Sequence, residues 1–209
     1  METLIGGYRE FYRRYKSRRY EAYRQEATLG QSPKIMVVAC SDARVNPSII
    51  THARLGEVFI VCNVANIVPP YAPAKGTHHS TSSALEFAIG TLGVEHVVVM
   101  GHSGCGGIQS LLDGAPKAQS EDYSFIRPWV SIVEGAKARV QHLTGRERYH
   151  ACECEGIKIS LANLRSFPWI DERVKAGTLH IHGWHFDIAS GVMTAYDEAS
   201  NSFKPIVEE

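Results

Sequence analysis

The sequence predicts an α/β fold: a central, mostly parallel β-sheet flanked by helices, with an N-terminal helical arm and a short antiparallel C-terminal hairpin. Three observations carry this. Apolar runs such as "KIMVVAC" and "VEHVVVM" do not alternate with polar residues, which suits strands covered on both faces. Between them, "TSSALEFAIGTLG" has helical periodicity and ends on Gly93 just before the next strand, and strand–helix–strand is the mark of parallel pairing. Near the end, "GVMTAYDEASNSFKPI" places a polar turn, "DEASN", between two short strand-like stretches.

Taken in order, the first segment, "YREFYRRYKSRRYEAYRQEA", sets Tyr8, Phe11, Tyr12 and Tyr15 at helical spacing, with Arg9, Arg13, Lys16 and Arg18 turned elsewhere. This is an amphipathic helix. A basic aromatic helix also suits nucleic acid or an anionic membrane, but Glu10, Glu21 and Glu26 interrupt its charge, so packing against the same or a second subunit is the better reading. After "GQSP" come the strand "KIMVVAC", a second strand "EVFIVCNVAN", the helix and third strand already named, and helices at "FIRPWVSIVEGAKARVQHL" and "EGIKISLANLRSF". A last strand, "TLHIHGWHFDI", precedes the hairpin. No internal repeat or linker divides the chain, so residues 1–30 form the arm and 31–209 a single α/β domain.

Composition narrows the partners. Among 209 residues, 22 basic and 22 acidic side chains leave no net charge, so no global field draws the molecule to nucleic acid or a membrane. No apolar stretch approaches the roughly 20 residues of a membrane span, and "METLIGGYRE" lacks the plan of a secretory signal, which points to the cytoplasm. Five unevenly spaced cysteines make a poor disulfide framework; in a reducing compartment, metal binding or catalysis explains them better.

Two apolar strands end in candidate metal ligands. "KIMVVAC" delivers Cys40, followed by Asp42; "VEHVVVMGHSGCGG" delivers His102 and Cys105. In an open parallel sheet, carboxyl ends of strands meet at a crevice where the winding reverses, so residues far apart in sequence converge there. Two thiolates and one imidazole suit zinc, and the glycines beside Cys105 let the backbone bend tightly around an ion. A phosphate loop is the weaker reading, because "GHSGCGG" has neither the lysine of a P-loop nor the G-x-G-x-x-G spacing. Three protein ligands leave a fourth position. If Asp42 takes it the site is closed; if Arg44 holds Asp42 aside by a two-pronged charge-assisted hydrogen bond, water enters and its pKa falls to about 7.

With "CSDARV", "NVANIVPPY" and "GHSGCGG" in this order and spacing, and "ISLANLRSFP" and "LHIHGWHFDIASG" after them, the sequence resembles the β-class carbonic anhydrases from about Gln31 to Asp197. The resemblance implies a lyase that interconverts carbon dioxide and bicarbonate with one Zn2+ per chain. It implies dimers or assemblies of dimers, with the N-terminal arm lying across the partner. By it, Cys40, His102 and Cys105 bind zinc and Asp42 with Arg44 forms the gating dyad. "GQSPKIMVVAC" is similar to the plant-type branch, in which Gln31 would hydrogen-bond substrate from across the dimer interface. Phe59, Val64 and Phe87 match that branch's apolar pocket lining and Gly106 its backbone amide beside the metal. Relatives of the family hydrolyse carbon disulfide or carbonyl sulfide, which leaves such a hydrolase, or a non-catalytic zinc-stabilised protein, as the rival readings.

Two departures bear on regulation. Cys62 stands where family members usually carry arginine, and Val37 where the bicarbonate-inhibited subgroup carries tryptophan, so the resemblance implies no inhibitory bicarbonate pocket; Cys62 is expected to be a buried apolar filler. "CEC" (Cys152, Cys154) invites a second metal or a redox pair, but its one intervening residue is too short for the usual C-x-x-C hairpin; the His180/His182 pair could chelate a metal, but the resemblance makes that segment ordinary sheet framework. His78 and His79 are candidate proton shuttles at a pocket mouth.

Overall fold

The computed structural model describes residues 1–73, 79–114 and 125–207, apart from the side chain of Glu26. The aromatic N-terminal segment is two helices rather than one, α1 (Glu2–Tyr15) and α2 (Glu21–Thr28), joined by a single 3₁₀ turn. Ser17 makes the break: its backbone is extended and its hydroxyl donates to the Arg14 carbonyl (2.6 Å), a local bond that competes with helix continuation. The Arg24 guanidinium then donates to the carbonyls of Tyr15 and Ser17 and folds α2 back. No residue of α1 is buried, and Leu4, Ile5, Tyr8, Phe11 and Tyr12 stand exposed.

β1 (Ile35–Cys40) leads through the short helix α3 (Pro47–Thr51) to β2 (Val58–Asn63). α3 is a helix beyond those expected from the sequence; Asn46 caps it by accepting from the amides of Ser48 (3.0 Å) and Ile49 (3.4 Å), with Pro47 in its first turn. α4 (Ser80–Glu86) ends in a π turn, and Gly93, at φ +69°, reverses the chain into β3 (His96–His102). Then follow α5 (Gly106–Asp113), α6 (Ile126–Val130), α7 (Glu134–Arg139), α8 (Gly145–Arg165), α9 (Pro168–Lys175), β4 (His180–Phe186), β5 (Met193–Asp197) and β6 (Ser202–Pro205).

The six strands lie in the order β2-β1-β3-β4-β5-β6. The first four are parallel neighbours; β5 and β6 close the edge as the expected antiparallel hairpin, turning at 197–202. Because β2 lies on one side of β1 and β3 on the other, the winding reverses at the β1/β3 boundary, which opens a crevice at their carboxyl ends.

One face of the sheet is sealed by α4, α8 and α9, with Met36, Val38, Val97 and Val99 packed against Leu85, Ile157, Leu164 and Ile170. Gly101 and Gly183 let α8 come this close. A Cβ on either would lie within 2.8 Å of the Ile157 side chain. Ile157 is fully buried, and truncating such a residue to alanine costs about 2–5 kcal/mol. The other face departs from the expectation of cover on both sides. Val37, Ala39, Val98 and Met100 pack there with Ile50, Trp184 and Met193, and α3 is the only described helix to contribute. Beside them lies an open groove of about 850 Å³ lined by Leu29, Ile35, Val58, His96, Val98 and Trp184 among others.

Candidate metal centre

Cys40 is the last residue of β1 and His102 the last of β3; Gly104, at φ +68°, then turns the chain so that Cys105 stands at the start of α5. The three side chains meet. The two sulfurs lie 3.9 Å apart, and all three donor atoms fall within 4.8 Å of one another. Sulfurs held at about 2.3 Å by a tetrahedral ion sit about 3.8 Å apart, so the spacing already suits one. The His102 ring is wholly buried; its Nδ1 donates to the Ser103 carbonyl (3.0 Å), which leaves the lone pair on Nε2, and that atom has no hydrogen-bond partner. A bare buried nitrogen facing two thiols is a donor set that fits a cation. The thiols say the same: the hydrogen bond from Cys105, helped by His102 and the Asp42 and Ala65 amides, holds Cys40 well below the ordinary thiol range, while its Cys40 neighbour and burial push Cys105 up. One proton stays with the pair unless a cation replaces it.

The Cys105 loop is anchored from below. Glu153 lies one helical turn before Ile157 on α8, so the close approach permitted by Gly101 and Gly183 brings its carboxylate under the loop. Its Oε1 accepts from the amides of Gly104 (2.8 Å) and Cys105 (3.2 Å), and its Oε2 from His185 Nε2 (2.9 Å). Both side chains are 2% exposed. The loop after β2 curls over the same end: Ala65 and Asn66 take left-handed backbone angles, and Asn63 fixes the turn through both the amide (2.9 Å) and the carbonyl (2.9 Å) of Ile67. Trp129 Nε1 donates to the Val64 carbonyl (2.7 Å), and a Cβ on Gly107 would strike Val64 and Ala65.

Beside the cluster, Asp42 and Arg44 make the two-pronged pair. Asp42 Oδ1 accepts from Arg44 Nε (2.9 Å) and from its amide (3.0 Å), and Oδ2 accepts from Nη2 (2.7 Å). Arg44 Nη2 also reaches the Gly104 carbonyl (3.3 Å), tying the pair to the Cys105 loop. Arg44 holds the Asp42 carboxyl well below the usual carboxylate range. Asp42 Oδ2 stops 3.9 Å from His102 Nε2, so its oxygens face the cluster yet are engaged by the arginine.

A family model described as carbonic anhydrase matches residues 35–193, most of the chain and all of these elements. The chain belongs to the β-class carbonic anhydrases. It is 40% identical over 171 residues to "Beta carbonic anhydrase 3" of Arabidopsis thaliana, an alignment that covers 80% of this chain and 66% of that protein. The β-carbonic anhydrase CcaA superposes with a TM-score of 0.89 at 31% identity, covering 100% of this chain and 93% of that one. A structure from a study of two tetrameric β-carbonic anhydrases of Sordaria macrospora superposes with a TM-score of 0.75 at 25% identity, covering 93% and 94%.

Against the residues expected of a β-carbonic anhydrase, the chain brings together Cys40, Asp42, Arg44, Val64, His102, Cys105 and Gly106, and leaves Gln31, Phe59 and Phe87 elsewhere. Phe59 pairs with Met36 in the register that pairs Cys40 with Asn63, four residues along the strand and so about 13 Å away. Phe87 packs on Phe59 (5.9 Å between rings). Gln31 is exposed ahead of β1, at the opposite end of that strand from Cys40. Cys62 corrects an expectation: it is exposed rather than a buried filler, because β2 is the edge strand and position 62, beside Ala39, faces away from the helical layer.

Cys152 is buried in the core at the carboxyl end of the sheet while Cys154 turns toward His150 (3.9 Å). His180 and His182 flank His96, whose Nδ1 meets His182 Nε2 at 3.1 Å. His79 is exposed before α4, and His78 lies outside the described residues. Glu153 and His185 escaped the sequence reading. The available signal was an acid between two cysteines of one helix, inside a segment otherwise readable as core.

Proposed function

We propose that this chain catalyses the reversible hydration of carbon dioxide to bicarbonate and a proton, with one zinc ion per chain held by Cys40, His102 and Cys105. The observation that carries this is the Asp42–Arg44 pair beside a three-donor cluster: a purely structural site would close with a fourth protein ligand, whereas here the nearest carboxylate is engaged by an arginine. Zinc in that position supplies Lewis acidity, lowering the pKa of a water to about 7 so that a nucleophile exists near neutrality.

The chain's own residues do the rest. Arg44 holds both Asp42 oxygens, so that the carboxylate would not compete for an ion held by Cys40, His102 and Cys105, and Asp42, ionised, would accept a hydrogen bond that orients the attacking water. Val64 gives an apolar wall suited to a substrate with no charge to grip. The Gly106 amide, in the first turn of α5, donates toward oxygen that gains negative charge as the bond forms.

Gln31, Phe59 and Phe87 enter from a second copy in this reading. Support comes from their distance from Cys40 within one chain, from the open groove, and from an arm whose aromatic face is unburied. Residues 1–30 serve as that arm and 31–209 as the catalytic domain. The tetrameric Sordaria proteins support an assembly of this kind. No described helix is long and apolar enough to cross a membrane, and five cysteines without disulfides fit a cytoplasmic protein.

Stopped-flow hydration of carbon dioxide with a pH indicator, run beside metal quantification, tests the proposal. Turnover in proportion to the zinc equivalent that depends on Cys40 is expected. A zinc-loaded, assembled protein inert toward carbon dioxide overturns it; activity confined to carbon disulfide or carbonyl sulfide would then assign the hydrolase, and inertness to all three the structural role.

A further inference from the structure

A second group of metal-ligating side chains lies outside the proposed catalytic site. His150 and Cys154 are four residues apart on α8 and so share a face, with the sulfur 3.9 Å from His150 Nε2. His185 arrives from β4, its ring edge-on to that of His150 at 4.7 Å. The three donor atoms all lie within 4.8 Å of one another. We propose that His150, Cys154 and His185 form a second cation site, distinct from the first, for a thiophilic divalent ion of the zinc class.

Three features separate this from ordinary packing. The first is contrast within one motif. Cys152 is 0% exposed in an apolar cluster that includes Ile108 and Leu112, whereas Cys154 belongs to none of the hydrophobic clusters and faces two imidazoles. The second is orientation. His185 is 2% exposed and donates through Nε2 to the Glu153 carboxylate, which leaves its lone pair on Nδ1; a carboxylate behind a histidine is the usual outer partner that fixes a metal-binding imidazole. The third is access, since His150 is exposed and opens the site to solvent. Nitrogen and sulfur ligands of tetrahedral zinc sit about 3.5 Å apart, so the His150–Cys154 pair needs to close by only a few tenths of an ångström, which the exposed His150 ring can supply.

The test is a metal count on the full-length purified chain, equilibrated with excess Zn2+ and desalted. Wild type should hold two equivalents; Cys154→Ser and His150→Ala should each hold one, and His142→Ala, an exposed histidine elsewhere, should hold two. Loading with Cd2+ gives an independent reading: thiolate-to-metal absorbance should fall by about a third in Cys154→Ser, from three sulfurs to two. A single equivalent that Cys154→Ser retains, or two equivalents in both variants, overturns the proposal. Cys40→Ser separates the sites, since it should remove the other equivalent. One wild-type equivalent lost in Cys154→Ser but kept in Cys40→Ser would uphold this site and sink the catalytic one.

Discussion

The loop around Cys105 is held from within its own chain, by Glu153 from below and Arg44 from the side, whereas the face of the sheet around Trp184 ends in an open apolar groove. The first region is closed by its own chain; the second is open. The division of the expected residues follows the same line: the proposed metal ligands, the Asp42–Arg44 pair, Val64 and Gly106 cluster at the closed end, and Gln31, Phe59 and Phe87 do not. Metal capture should therefore be a property of the single chain, and turnover a property of the assembly.

The harshest break of that comparison is Cys40→Ser. Turnover should fall to the uncatalysed background and the catalytic zinc equivalent should vanish, while the oligomer survives, because Cys40 faces the crevice rather than the groove. Zinc analysis, stopped-flow rates and size-exclusion chromatography on one preparation check all three. Metal-free variant with wild-type turnover would end the catalytic assignment.

Removing residues 1–30 attacks the other region. The truncated chain should dissociate on dilution and lose about 100- to 1,000-fold in turnover, the scale of one lost donor to a developing oxyanion, yet keep the zinc bound by Cys40, His102 and Cys105. A monomer with full activity would show that one copy suffices. Next in size is Arg44→Ala. Losing a two-pronged charge-assisted contact, worth about 2–3 kcal/mol, should cost about 30- to 160-fold in rate at unchanged zinc content, because Asp42 would be free to compete with water for the ion. An active Arg44→Ala enzyme would show that Asp42 needs no restraint.

Much of this was legible in the sequence because strand ends and ligand spacing are local signals. Cys40, His102 and Cys105 could be placed in one crevice from two apolar runs and the strand–helix–strand order alone. What was hidden depends on packing between distant segments. Glu153 carries no local signal beyond its place between two cysteines, and only the approach of α8 across Gly101 and Gly183 shows it supporting Cys105. Cys62 read as buried because a run of apolar residues does not announce that its strand is an edge. The break at Ser17 was masked by aromatic periodicity running through it, since one hydroxyl bond outweighs pattern where no core holds a helix.

Glu153 joins the two donor clusters, and Glu153→Gln is the mildest and sharpest probe of that link. The amide is nearly isosteric, so Ile157 and the helix–sheet contact stay in place, and its carbonyl still accepts from Gly104 and Cys105, though without the charge. Affinity for the catalytic zinc should weaken by about tenfold, the low end for an outer-shell change, read by competition with a chelator. At the other oxygen position the substitution places an NH₂ donor against His185 Nε2, which must then carry the lone pair and shift its proton to Nδ1. The proposed second site uses the lone pair on His185 Nδ1, so this variant should also lose the equivalent that depends on Cys154, although Glu153 is assigned as a ligand in neither. Loss of both effects together with normal folding would show that the carboxylate supports neither cluster, and the two would have to be treated as independent.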